Sequence, residues 1–315
     1  MSFEMYEDLG NGITRIDSAM IHEELAACYL MGSEDEYALI ETGTHNTVPH
    51  ILALLSSRQI GLEQVKYVIP THVHLDHAGG VGGLMQVLPN ATLLIHPHGA
   101  RHMINPKKLR AGAMVVYGEV RFKEIYGDVI AVDEARVRQM EEGDQVLLGS
   151  RTLTFYDTPG HARHHFCVHD SQTNGIFTGD TFGLAYPTLA SAKGPFIFPT
   201  TTPIQFEPDE LKHSIRKLLA LKPDCMYLTH YGKVTHPAPL GQQLLAQIDD
   251  YVALGHAARQ MHPPHALENA LIEKLTEYTL ARAREHECPH TETELRQILA
   301  MDMKLNAQGL MVWLG

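Results

Sequence analysis

One arrangement constrains this chain more than any other: short apolar runs rich in β-branched residues that pass at once into a histidine or acidic motif. Ala38–Ile40 runs into Glu41-Thr42-Gly43, and Val65–Ile69 runs into the cluster Thr71-His72-Val73-His74-Leu75-Asp76-His77. Thr92–Ile95 leads to His96, Leu153–Tyr156 leads to Asp157-Thr158-Pro159-Gly160-His161, and Met226–Leu228 leads to Thr229-His230. After His165–Val168, the pair Asn174-Gly175 predicts a hairpin turn into Ile176–Thr178 that delivers Asp180. Buried strands that end in polar ligands predict chemistry in loops along one rim of a sheet.

Helical stretches lie between these runs. Leu211, Ile215, Leu218 and Leu219 fall four, seven and eight apart, the spacing of one buried helical face. Ala78-Gly79-Gly80-Val81 leaves room for a close backbone approach and a helix starting near Val81. Together these predict a layered α/β protein. From about Pro239 the pattern becomes purely helical, with stripes at Leu240, Leu244, Leu245, Ile248, Tyr251 and Val252, then at Leu267, Leu271, Leu275 and Tyr278. Thr291 with Glu294 reads as a capping box ahead of Leu295, Ile298 and Leu299. The expected division is therefore a catalytic domain over residues 1–238 and a helical C-terminal extension over 239–315, divided at His236-Pro237-Ala238-Pro239. The extension is open to two uses, closing over the site or forming a homodimer surface.

The segment 99–142 is long for a connection and mixes Arg101, Lys107, Lys108 and Arg110 with Tyr117 and Tyr126. Connections of that length are read either as lids and binding loops or as helical insertions that only pack.

Lysines and arginines number 25 and aspartates and glutamates 37, a net charge of −12 that argues against nucleic acid or an anionic membrane as partner; the expected partner is a small-molecule substrate. The acidic start Met1-Ser2-Phe3-Glu4 lacks the basic and apolar regions of a secretory signal, and no run is long and apolar enough to span a bilayer. Cys28, Cys167, Cys225 and Cys288 are widely spaced, with no C-x-x-C pair, which fits free packing thiols in a reducing cytoplasm.

Seven residues in these motifs have the right chemistry for metal: His72, His74, Asp76, His77, His161, Asp180 and His230. Five imidazoles and two carboxylates suit zinc, and also iron or manganese, in numbers sufficient for two divalent ions sharing one carboxylate. In an extended segment side chains alternate, so His72 and His74 can reach one ion from the same face. Asp76 and His77 follow where the chain must turn, and are free to address a second ion.

This ordered set resembles the metallo-β-lactamase superfamily in its binuclear hydrolase form, similar to glyoxalase II and the lactonase branch, over roughly residues 10–235. The resemblance implies a four-layer αββα sandwich. It also implies that His72, His74 and His161 hold one ion, that Asp76, His77 and His230 hold the other, and that Asp180 bridges them. By the same resemblance His165 supports or packs beside the ligands. Two positions depart from the family pattern: Glu41-Thr42-Gly43 stands where relatives have Asp-Thr-Gly, and Ala162-Arg163-His164 replaces the usual threonine after His161. The longer Glu41 puts the hydrogen bonding around the metal loop in question, and Arg163 is an unusual charge beside the site.

The chemistry implied is that of a binuclear metallohydrolase, since two cations lower the pKa of a shared water from about 15.7 toward 7. The resulting hydroxide would attack an ester, thioester or lactone carbonyl, with Asp76 as the candidate that passes a proton to the leaving group. No Gly-x-Ser-x-Gly elbow offers a serine nucleophile. Thr181–Tyr186, Phe196–Pro199 and the threonines that follow are expected to line a largely apolar pocket. Relatives with lactonase activity place a tyrosine where this chain has Gly183, and Tyr186 is its nearest substitute. Two other reactions share such a centre: sulfur dioxygenation at iron, and phosphodiester cleavage.

Overall fold

The protein is described by a computed structural model over residues 4–201 and 205–315, without the side chains of Val116 and Tyr117. Thr202 of the threonine run and the Tyr117 side chain thus lie outside the described residues.

Two sheets form among the described residues, taking in the seven predicted runs together with further strands that no motif had marked. The first runs in chain order through β1 (Tyr6–Asp8), β2 (Ile13–Asp17), β3 (Ala27–Ser33), β4 (Glu36–Ile40), β5 (Val65–Ile69), β6 (Thr92–Ile95) and β7 (Val137–Gln139). Pairing is antiparallel from β1 to β4 and parallel from β4 to β7. The change follows from the connections, because parallel neighbours need a crossover and helices supply it. Helix α1 (Val48–Ser57) joins β4 to β5, and the short α2 (Leu75–Ala78) and α3 (Val81–Val87) join β5 to β6. The segment 99–142 proves to be a helical insertion, with α4 (Pro97–Ile104), α5 (Lys107–Tyr117) and α6 (Glu119–Tyr126) leading into β7.

The second sheet has the order β13-β12-β11-β10-β9-β8, made of β8 (Gln145–Leu148), β9 (Arg151–Asp157), β10 (Phe166–Asp170), β11 (Gly175–Phe177), β12 (Cys225–Leu228) and β13 (Gly232–Thr235). Strands β8 to β11 are antiparallel, and β12 joins β11 in parallel. The two sheets meet through aromatic side chains. The Tyr29 ring stands edge-on to Phe177 at 5.1 Å and to Tyr227 at 5.8 Å, and its hydroxyl donates to the Leu228 carbonyl. Leu39, Val68 and Leu93 of the first sheet pack against Ile51 and Leu55 of α1 and Leu84 of α3, all buried. The result is the α/β sandwich of the expected class, with C-terminal helices.

Two compact units divide the chain. The first takes the described residues up to Asp157 together with His164–Gly179 and Cys225–Lys233. The second takes Thr158–Arg163, the described residues of Asp180–Asp224, and Val234–Gly315. Within the second unit, α7 (Pro208–Ala220) packs on α8 (Pro237–Met261), which pairs with α9 (Pro264–Glu285) and α10 (Glu292–Leu314). The Thr291 capping box is formed: its backbone N–H donates to Glu294 Oε2 at 2.8 Å, and its hydroxyl accepts from the Glu294 N–H. Three cysteines are buried and Cys288 is half-buried, all as free thiols. No helix among the described residues is long and apolar enough to cross a membrane.

Candidate metal centre

Strand β5 ends at Ile69, and Pro70-Thr71 carries the chain out to a buried His72. His74 is extended, with ψ of 149°, and caps α2, whose first turn then carries Asp76 and His77. The loop can lie this close to β4 only because Gly79 and Gly80 have no side chains. A Cβ on Gly80 would stand 2.6 Å from the Thr42 carbonyl oxygen, and one on Gly79 would stand 3.0 Å from Thr44 Cα. Thr42 then donates to the His77 carbonyl from both N–H and Oγ1, each at 2.8 Å.

Asp76, His77 and His230 come together within the first unit, with ligand atoms all inside 4.8 Å of one another. His77 Nε2 and His230 Nε2 each lie 3.4 Å from Asp76 Oδ2. Ligands at 2.0–2.1 Å from a tetrahedral zinc stand about 3.3 Å apart, so this spacing fits an ion held between them. Both rings are oriented for it. His77 Nδ1 lies 2.9 Å from Glu41 Oε1, and His230 Nδ1 lies 2.7 Å from the Leu25 carbonyl, which commits each Nδ1 as donor and turns each Nε2 lone pair toward Asp76. Burial alone would raise the Asp76 carboxyl, but in the metal-free protein His77 and His230, once protonated at Nε2, hold it well below the usual carboxylate range by charge and hydrogen bonding.

Glu41 organises this pocket. Its carboxylate, 1% exposed, accepts from the Thr71 N–H at 3.0 Å, Thr71 Oγ1 at 2.5 Å, His77 Nδ1 and Thr229 Oγ1 at 2.9 Å. The extra methylene relative to aspartate is what reaches these groups from a residue with left-handed backbone, φ of 60°. Thr71 Oγ1 also lies 3.2 Å from His72 Nδ1, so the same carboxylate steadies histidines of both expected ligand sets.

His72 Nε2 and His74 Nδ1 are 2.8 Å apart, two donors converging as their alternation in sequence suggested. The rings of His164 and His165, both buried, lie 6.1 and 4.9 Å from that of His72. In the second unit, His161 Nε2 and Asp180 Oδ2 are 3.2 Å apart, again the separation of two groups sharing an ion. Gly179, just before Asp180, has φ of 48° and no room for a side chain, since a Cβ would stand 2.4 Å from Thr71 Oγ1. Arg163 points to solvent, 72% exposed, with Glu207 at 3.8 Å.

The segment after Asp180 packs inward. Phe182, Leu184, Phe196, Ile197 and Phe198, expected to line an apolar pocket, are buried within the second unit. Helix α10 fastens this segment. Tyr186 Oη donates to Asp302 Oδ1 at 3.1 Å, Asn306 Oδ1 accepts from the Thr201 N–H at 2.7 Å, and Asn306 Nδ2 donates to the Pro199 carbonyl at 3.1 Å. Gln247 of α8 donates to the Ile197 carbonyl at 2.9 Å. Tyr186, the candidate substitute for the lactonase tyrosine, therefore has its hydroxyl turned into the helices. Asp302 and Asn306 carried no motif that a linear reading could single out.

Residues 23–230 match the family model of the metallo-beta-lactamase superfamily. Metallo-beta-lactamase fold-containing protein ST1585 of Sulfurisphaera tokodaii is 27% identical over 216 residues, 67% of this chain and 75% of that protein. Its crystal structure superposes with a TM-score of 0.61 over 76% of this chain and 86% of that one. Metallo-beta-lactamase family protein TTHA1429 from Thermus thermophilus shares the fold over 98% of this chain and 94% of its own, at a TM-score of 0.65 and 16% identity. The human acyl-coenzyme A thioesterase MBLAC2 is 26% identical over 189 residues, 56% of this chain and 65% of that protein.

Proposed function

The chain belongs to the metallo-beta-lactamase superfamily, and on that footing we propose that it is a binuclear metallohydrolase acting on an activated acyl carbonyl, an ester, thioester or lactone. The observation that carries this reading is the pair of imidazole Nε2 atoms flanking Asp76 Oδ2 at 3.4 Å, each ring with its Nδ1 already committed. Neutral imidazoles and a carboxylate so arranged are ligands for a borderline divalent ion, zinc before iron or manganese. We assign His77, His230 and Asp76 to one ion, His72, His74 and His161 to the other, and Asp180 to both. The assignment of His161 and Asp180 alongside His72 and His74 rests on membership of the family.

When bound, the ions supply Lewis acidity and an ionised water at neutral pH. The residues do the rest. Glu41 and the Leu25 carbonyl hold the tautomers of His77 and His230, and Thr71 holds His72. Asp76, with Oδ2 toward the histidines, is the group placed to carry a proton to the departing oxygen or sulfur. Among carbonyl substrates a thioester is favoured by the relative named as an acyl-coenzyme A thioesterase.

The test is a substrate panel on zinc-loaded protein: acyl thioesters, lactones, aryl esters and a phosphodiester, beside oxygen uptake on glutathione persulfide with the iron-loaded form. Metal-dependent turnover of a carbonyl substrate is expected, abolished in Asp76→Asn and His230→Ala. Rapid oxygen uptake, or cleavage of the phosphodiester alone, would overturn it.

A further inference from the structure

The helical insertion carries a charge opposite to the rest of the chain. Between Pro97 and Tyr126 stand six lysines and arginines, Arg101, Lys107, Lys108, Arg110, Arg121 and Lys123, against Glu119 and Glu124, in a protein of net charge −12. Arg101, Lys107, Lys108 and Arg110 are all exposed. Several cations elsewhere are paired with carboxylates, Lys66 with Glu36, Lys193 with Glu287, Lys212 with Asp249 and Arg296 with Glu273. Lys107, Lys108 and Arg110 meet no carboxylate among the described residues. An acidic chain that gathers unneutralised cations on one helix raises the local concentration of anions there.

The position of the insertion gives this charge a use. Helix α4 begins against the metal loop, where a Cβ on Gly99 would stand 2.9 Å from Val73 Cγ1. The His102 ring of α4 lies 6.2 Å from His164, whose ring is 5.7 Å from that of His74. Lys107 lies five positions after His102, at most about 18 Å of chain. The cations therefore lie one extended arm away from the histidines.

We propose that α4 and α5 dock the phosphates of an acyl carrier of the coenzyme A type, with Lys107, Lys108 and Arg110 as their partners and the thioester directed at the histidines. This rests on the hydrolase reading above and narrows its substrate class: a lactone or simple ester has no group for these cations to hold. The carrier binds by charge at its phosphate end and reacts at its sulfur end, so the contribution of α5 belongs to KM and not to kcat.

Affinity for coenzyme A itself tests the proposal without turnover. Calorimetry on the full-length zinc-loaded protein compares coenzyme A with pantetheine, which lacks the phosphates, at low and high salt. The comparison includes the exposed-site variant Lys107→Gln/Lys108→Gln/Arg110→Gln. Coenzyme A binding is expected to weaken about tenfold in the variant, about 1.4 kcal/mol, and similarly in high salt, with pantetheine unaffected. Equal coenzyme A affinity in wild type and variant, or equal affinity of the wild type for coenzyme A and pantetheine, would overturn it. So would loss of binding to phosphatidylserine-containing vesicles with coenzyme A binding intact, which would assign α5 to a membrane surface. Preferential coenzyme A binding without thioester cleavage would uphold the docking site and remove the hydrolase reading instead.

Discussion

Glu41 Oε1 accepts the Nδ1 proton of His77 at 2.9 Å while Oε2 takes the backbone N–H of Thr71 at 3.0 Å, so one buried carboxylate spans a candidate ligand histidine and the strand end before it. Replacing Glu41 with Gln puts an amide donor among groups that are themselves donors. Stability is expected to fall by about 1–3 kcal/mol and affinity for the ion at His77 by about 10–100-fold. Glu41→Asp is expected to lose metal affinity too, because the shorter side chain draws back from Thr229 and His77. Zinc titration followed by chemical unfolding measures both effects.

Asn306 ties the segment after Asp180 to α10 through Thr201 and Pro199. Asn306→Ala strands a buried N–H and carbonyl, costing about 1–3 kcal/mol. Zinc stoichiometry is expected to stay at wild type while KM rises, since the ligands are untouched and the segment beyond them is loosened. A variant that loses metal in step with stability would show that α10 supports the whole fold and not the segment alone.

Acidification acts on the centre in two stages. Imidazole ligands must be neutral, so metal content and activity are expected to fall together as acid protonates them in competition with the metal. The Asp76 carboxyl, held below its usual value, contributes stability to the metal-free protein above the unfolded pKa of about 3.9, and that contribution is lost as pH falls through the lower folded value. Asp76→Asn should therefore flatten the acid limb of Tm against pH. An unchanged limb would show that the carboxylate gains nothing from His77 and His230.

Burial pushes the Cys288 thiol up to about 11, despite an opposing backbone hydrogen bond. Its stabilising effect is present below the unfolded pKa of about 8.5 and is lost as pH rises through 11. Alkylation at pH 8 is expected to run about two orders of magnitude slower than for a free thiol, with a rate midpoint near 11. Mass mapping of iodoacetamide adducts over a pH series reads this directly.

Periodicity and ligand chemistry are local, and they were visible in the chain before it folded. Val65–Ile69 and Thr92–Ile95 emerge as β5 and β6 at the predicted residues, Val81 starts α3, and Thr291 with Glu294 caps α10. The alternation of His72 and His74, and the turn after them that carries Asp76 and His77, likewise follow from spacing within one short segment. What Glu41 does was not legible, because its partners Thr71, His77 and Thr229 lie up to 188 residues away and meet only when β4, β5 and β12 are assembled. The same holds for Asp302 and Asn306, whose partners at 186 and 201 are over a hundred residues distant. Donor identity is a property of the residue, whereas tautomer, orientation and pKa are set by neighbours that only long-range packing supplies. The sequence by itself therefore determined which groups have the chemistry to bind metal, and the tertiary structure decided which nitrogen His77 and His230 turn toward Asp76 and what holds it there.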